Sequence, residues 1–259
     1  SFICKGLMSV ATSSFMQEIA DYGLIFPSLV LWTYKFDGDI DFLKSVEPTL
    51  KGMYEYFASF DRGDGLIEKL YGQWNLVDWP ANLRDGYDFP LTKPISDGVH
   101  NALNALWIGF LKAMNEIEVI CGNEKVAETD EVIRSFYKAF YNDETGLFCD
   151  SESKTHSAVH SNIFPLLFGI YGKDEEVKKR LVKMVYDKKL NSMGVYMAYF
   201  ALAALVENGE RDKAIELTLD KNAWLNMIKE GATTTFEAWG KEQKWNTSLF
   251  HPWAVAPLI

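Results

Sequence analysis

Between residues 237 and 251 the chain gathers a carboxylate (Glu237), two indoles (Trp239 and Trp245), an amide (Asn246) and an imidazole (His251). A carboxylate takes up or releases a proton, an indole face covers the apolar face of a sugar ring, and amide and imidazole groups bond its hydroxyls. Together these side chains make up the equipment of a sugar-processing cleft. The residues just before them, Gly231-Ala-Thr-Thr-Thr235, suit an extended loop better than a helix, because β-branched side chains prefer extended backbone.

A second group lies upstream. Trp74 stands between Gln73 and Asn75, a polar setting that favours sugar stacking over a core position, and Trp239 is assigned the same role. Asp85 and Asp88, in Leu83-Arg-Asp-Gly-Tyr-Asp-Phe89, read as turn residues and as the fallback acids of the chain. His156 and His160 are four apart on a predicted helix. That spacing suits zinc, but the intervening Ser-Ala-Val supplies no glutamate base. No metal is expected there, and His160 is expected to line the site instead. His100 reads as an ordinary helix residue. No cofactor is expected, since Gly-x-Gly-x-x-Gly, phosphate-loop, Gly-x-Ser-x-Gly and Cys-x-x-Cys patterns are all absent.

Composition narrows the partners. A formal charge of −10 with no basic cluster argues against nucleic acid and against anionic membrane surfaces. No apolar run reaches the roughly 18 residues of a membrane span. Three scattered cysteines (Cys4, Cys121 and Cys149) make neither a disulfide framework nor a zinc site. Cytoplasm and secretion both remain open. The chain opens without methionine and closes in a hydrophobic run, so the expectation is one partial domain over 1–259, cut at both ends.

The elements that must position these residues are helical. Apolar spacing predicts helices over 27–36 (entered by Pro27), 41–60 (kinked or restarted at Pro48) and from a Ser96 cap to about Val119. Further helices are predicted at 125–141, 156–171, 174–187, 194–207, 210–219 and 222–229. Two acidic turns lead into similar returns, Gly65-Leu-Ile67 and Gly146-Leu-Phe148, which reads as repeated helical hairpins with short extended segments. The expected fold is all-α, an incomplete (α/α)6 six-hairpin toroid with minor strands.

Gly231-Ala-Thr-Thr-Thr-Phe-Glu237-Ala-Trp239, followed by Asn246-Thr-Ser-Leu-Phe-His251, resembles the signature of the α-L-rhamnosidases of glycoside hydrolase family 78. Gly194 to Gly209 looks like the barrel helix preceding that signature, and Val77-Asp78-Trp79 looks like the family's Gly-Asp-Trp element. The likeness covers the C-terminal two-thirds or so of a six-hairpin barrel. It implies that Glu237 is the general base of an inverting hydrolysis of terminal α-L-rhamnosyl linkages. It further implies that His251, Asp78 and Trp79 line the sugar pocket. Two residues depart from the pattern: Phe236 replaces a tryptophan, and Val77 replaces a glycine.

The family's general acid lies in an Arg-x-Glu element that residues 1–259 do not contain. The missing N-terminal part of the same polypeptide would then supply it, and this chain alone would be inactive or nearly so. Two other readings stay open: a six-hairpin carbohydrase or lyase acting on a different sugar, and a non-catalytic carbohydrate-binding scaffold.

Overall fold

The computed structural model describes residues 2–4, 7–8, 19–70, 74–89 and 98–255. Helix dominates, and the described strands are two-residue and three-residue pieces, so the fold is all-α. The chain divides into two compact units. The first holds residues 1–76 and 89–140, the second 77–88 and 141–259.

In the first unit a short antiparallel pair, β1 (Phe2–Cys4) and β2 (Leu7–Met8), precedes α1 (Ala20–Asp37) and α2 (Ile40–Ala58). These helices pack on α3 (Asn101–Cys121), which also meets α4 (Thr129–Phe140). α3 is apolar on almost every face, and Leu106, Phe110, Met114 and Ile117 are buried in the core of this unit.

The starts of α1 and α3 differ from the sequence expectation, as does the course of α2 through its proline. α1 begins seven residues before Pro27. The Ala20 amide donates to the Trp74 carbonyl (3.0 Å), and Asp21 accepts from the Leu76 amide (2.6 Å), anchoring an earlier turn. α2 does not restart at Pro48 but runs on through it as one helix. Pro48 is exposed, and Asp39 caps the start of the helix by accepting from the Phe42 amide (2.9 Å). Ser96 lies outside the described residues. The cap of α3 is His100, whose Nδ1 accepts from the Leu103 amide (3.5 Å), so His100 is not an ordinary helix residue.

The second unit contains a β-ladder, β3 (Tyr141–Asn142) with β4 (Leu147–Phe148), and then α5 (His160–Leu167) and α6 (Glu175–Lys188). α7 (Val195–Glu207), α8 (Arg211–Thr218) and α9 (Trp224–Lys229) complete it. α5 packs on α6 and α7, and α7 meets α8 and a 3-10 turn at Pro252–Ala254.

The two similar returns share a local device. Asp61 accepts from the amides of Gly63 (2.7 Å) and Gly65 (2.9 Å), as Asn142 does from Glu144 (2.9 Å) and Thr145 (3.3 Å). Six residues after each turn acceptor, a buried asparagine clamps the return. Asn104 accepts from the Ile67 amide (2.8 Å) and donates to the Ile67 carbonyl (3.0 Å). Asn162 does the same to Phe148 (3.0 and 3.1 Å). Each also donates to the carbonyl four residues back, which fixes it to its own helix.

An asparagine on an apolar helix face thus satisfies backbone groups that have no helix of their own. Asn162→Ala strands two buried backbone groups at Phe148. It is expected to lower unfolding stability by about 2–3 kcal/mol, read from the urea midpoint. An unchanged midpoint would show that the clamp does not hold the return.

Candidate functional site

The signature loop folds back on itself within the second unit. The Glu237 amide donates to the Ser248 carbonyl (2.8 Å), and the His251 amide donates to the Thr235 carbonyl (2.9 Å). Thr235 Oγ1 returns a bond to the His251 carbonyl (2.7 Å), which gives the third threonine of the run its purpose. The excursion between these arms is closed by its own polar groups. Trp239 N–H donates to Gln243 Oε1 (2.7 Å), Lys241 N–H to Glu230 Oε2 (2.7 Å), and Thr247 Oγ1 bonds both the amide and the carbonyl of Lys244. A Cβ on Gly240 would come within 2.9 Å of Glu230 Oε1, so a larger residue would have to move that carboxylate.

Glu237 is only 8% exposed, yet three donors converge on its carboxylate. Trp79 Nε1–H (3.0 Å) and Lys244 Nζ (2.9 Å) donate to Oε1, and the Ser248 amide donates to Oε2 (2.9 Å). Burial opposes ionisation, but the Ser248 amide and the Lys244 ammonium outweigh it, with His251 adding a smaller pull. The carboxyl is therefore held below its ordinary value of 4.5. His251 is also pushed below its ordinary value, mainly by burial and also by Lys244, against the opposing attraction of Glu237. The site thus pairs an ionised carboxylate with a neutral imidazole at pH 7.

Trp79 is positioned from beneath. Asp78 is fully buried and accepts from the Trp79 amide at Oδ1 (2.8 Å). Its Oδ2 accepts from His160 Nε2 (2.7 Å) and from the Gly194 amide (2.7 Å). Gly194 tolerates no side chain, because a Cβ there would lie 2.0 Å from the Trp79 carbonyl and 2.5 Å from Asp78 Oδ1. His160 Nδ1 is buried with no hydrogen-bond partner. Val77, where the resembled family has glycine, adopts φ +55°. That left-handed backbone is natural for glycine and strained for a β-branched residue, at a cost of roughly 1–3 kcal/mol.

The structure therefore brings Glu237, Trp79, Asp78, His160 and His251 into one connected arrangement, in which Asp78 and His160 are fully buried behind Trp79, and His251 is an electrostatic neighbour of Glu237 and meets Trp253 at 4.5 Å with the rings tilted. Other expected residues lie differently. Trp239 is 2% exposed, donates to the Met193 carbonyl (2.7 Å) and meets Trp224 edge-on, so it packs beneath the loop. Trp245 is 94% exposed, and Asn246 is exposed beside it. Trp74 belongs to the first unit and pairs with Ile19.

His156 and His160 do not share a helix face, because α5 begins at His160. His156 Nδ1 bonds Asp150 Oδ2 (2.6 Å) from the preceding loop. Asp150, Asp88 and His156 cluster closely enough to suggest a cation. However, Asp150 already accepts from the amides of Ala158 and Asp88 and from Ser161 Oγ as well as from His156, which fills its lone pairs. Asp85 is likewise engaged, by the Val159 amide (2.8 Å) and Lys188 (2.8 Å). An open cleft of about 350 Å³ in the same unit is lined by Asn191, Asn222, Asn226, Glu230 and Gln243, among others. Glu237 is not one of its walls.

Lys244 is the residue that sequence reasoning missed. It lies in Lys241-Glu-Gln-Lys244, which reads as solvated charge, and nothing in that stretch signals a contact with Glu237.

Helical hairpins with short clamped returns, carrying a carboxylate–indole site on an irregular loop, define an all-α hairpin domain. A sequence model of the bacterial alpha-L-rhamnosidase 6 hairpin glycosidase domain matches residues 8–258, and the chain belongs to that family. Comparison with curated protein sequences gives no match.

Among solved structures, a rhamnosidase from Klebsiella oxytoca with rhamnose bound superposes with TM-score 0.76 at 16% identity, over 97% of this chain and 49% of that one. A GH78 family rhamnosidase of Bacillus sp. GL1 gives 0.76 at 15% identity, covering 95% and 26%. An alpha-L-rhamnosidase from Dictyoglumus thermophilum gives 0.73 at 17% identity, covering 97% and 28%. At these identities the likeness is one of fold. The chain spans about half the length of the first structure and just over a quarter of the other two.

Proposed function

We propose that this domain contributes the base half of an inverting α-L-rhamnosidase centre. Glu237 is the general base that deprotonates the water attacking the anomeric carbon. The observation that carries this reading is the Glu237 carboxylate itself, buried on the signature loop yet held ionised by an amide and an ammonium. A base must be ionised to accept a proton, and a buried carboxyl with no such donors would instead favour its neutral form. Membership of the rhamnosidase domain family supports a terminal α-L-rhamnoside as the substrate.

In this reading Trp79 holds the carboxylate by its indole N–H. Asp78, His160 and Gly194 act through Trp79, fixing its backbone and therefore its ring. His251, neutral at pH 7, is a hydrogen-bonding partner for a sugar hydroxyl. Inversion also needs a proton donor for the leaving oxygen, roughly 6.5–9.5 Å from the base, and that acid is assigned to the Arg-x-Glu element outside residues 1–259.

The test is hydrolysis of an aryl α-L-rhamnoside followed by NMR of the first-formed sugar. The whole enzyme is expected to release β-L-rhamnose before mutarotation, while residues 1–259 alone turn over orders of magnitude more slowly. Initial release of the α-anomer would remove the inverting assignment. Turnover by the isolated chain matching the whole enzyme would place the acid within it.

A further inference from the structure

The contact between Lys244 and Glu237 has a role of its own. We infer that Lys244 is a positioning residue for the base: it occupies Oε1 and keeps the carboxylate charged, leaving Oε2 to take up the proton. This rests on the assignment of Glu237 as the base.

The geometry supplies the argument. A carboxylate offers about four lone-pair sites, two on each oxygen. On Oε1 both are taken, by Trp79 Nε1–H (3.0 Å) and by Lys244 Nζ (2.9 Å). On Oε2 the Ser248 amide takes one (2.9 Å), and one remains. A water molecule can therefore pass its proton only to Oε2 without displacing a protein donor.

Lys244 is held in this position by more than its charge. Its side chain is 12% exposed, and Nζ lies 5.4 Å from the centre of the Trp79 ring. Trp79 thus presents its N–H edge to Glu237 and its face to the ammonium, a cation–π arrangement that ties the three side chains together. Thr247 Oγ1 bonds the amide (3.2 Å) and the carbonyl (2.8 Å) of Lys244, fixing the backbone from which the side chain reaches. The charged and titratable groups facing Glu237 are Lys244 and His251. His251 is largely neutral near pH 7, so the lysine supplies the standing positive charge.

The Trp79 indole N–H reports directly on the carboxylate it bonds. Its NMR resonance is to be followed against pH in the unaltered chain, Lys244→Met, Lys244→Arg and Glu237→Gln. The step that vanishes in Glu237→Gln belongs to the carboxylate. In Lys244→Met the midpoint of that step is expected at higher pH, and in Lys244→Arg it is expected to stay near that of the unaltered chain. An unmoved midpoint in Lys244→Met would overturn the proposal, as would a titration unaffected by Glu237→Gln. If Lys244→Met loses its dispersed indole signals through unfolding, Lys244→Gln, neutral but polar, replaces it with the same expected upward shift. The readout needs no turnover. An active Glu237→Gln enzyme would therefore remove the base assignment while the coupling of lysine to carboxylate still stood or fell by the titration.

Discussion

Glu237→Gln in the whole enzyme is expected to lower turnover of an aryl α-L-rhamnoside by about 10²–10⁴-fold, the range for removing a general base. The substitution keeps size and shape but leaves a side chain that cannot accept the proton of the attacking water. It also disturbs the donor set. An amide presents one oxygen, so its NH₂ must face either the Trp79 and Lys244 donors or the Ser248 amide. A modest loss of stability is therefore expected beside the loss of rate. Thermal midpoints measured alongside kcat separate the two, since a fall in kcat well below the unfolding transition belongs to chemistry.

The pH profile carries the same assignment. The Glu237 carboxyl lies below its ordinary 4.5 in the folded protein. Its charged interactions thus stabilise the fold above about pH 4.5 and are lost as pH falls through the depressed folded-state value. The acid limb of kcat/KM should fall below pH 4.5 for the same reason. Near-normal turnover by the glutamine enzyme would remove the base assignment altogether.

Glu237 was legible as a candidate chiefly through the resemblance of residues 231–251 to the rhamnosidase signature, with the threonine run and the neighbouring aromatics marking an irregular loop. Lys244 was not, since its contact depends on the loop folding back seven residues later. In sequence it is one of two lysines in a charged run.

The helix interiors followed from apolar spacing, and the starts of α2, α6, α7 and α8 fell within one residue of expectation, whereas those of α1 and α3 did not. The first turn of α1 is set by Trp74 and Leu76, which lie 54 and 55 residues beyond the groups they bond, and α3 is capped by a histidine. The hairpin returns were visible as turn residues, but their clamps, Asn104 and Asn162, look like ordinary polar interruptions of an apolar face. Val77 shows the opposite case. The resemblance marked it as out of place, and its positive φ shows the backbone reason.

Asp78→Asn is expected to destabilise the chain by about 1–3 kcal/mol, the range for leaving a buried hydrogen-bond donor unsatisfied. Asp78 is fully buried and serves three donors with two oxygens: the Trp79 amide on Oδ1, and His160 Nε2 and the Gly194 amide on Oδ2. An asparagine has one carbonyl oxygen. If it replaces Oδ2, the new NH₂ points at the Trp79 N–H; if it replaces Oδ1, two donors face it. Either way a buried donor meets a donor.

No rearrangement is available on the other side, because Gly194 already lies against both Asp78 and the Trp79 carbonyl. The damage reaches Glu237 through Trp79, whose indole N–H holds Oε1. Urea unfolding of Asp78→Asn, together with the Trp79 indole resonance, measures both effects. An unchanged midpoint with an unshifted indole signal would mean that Asp78 does not hold the tryptophan, and the support from beneath the site would have to come from elsewhere.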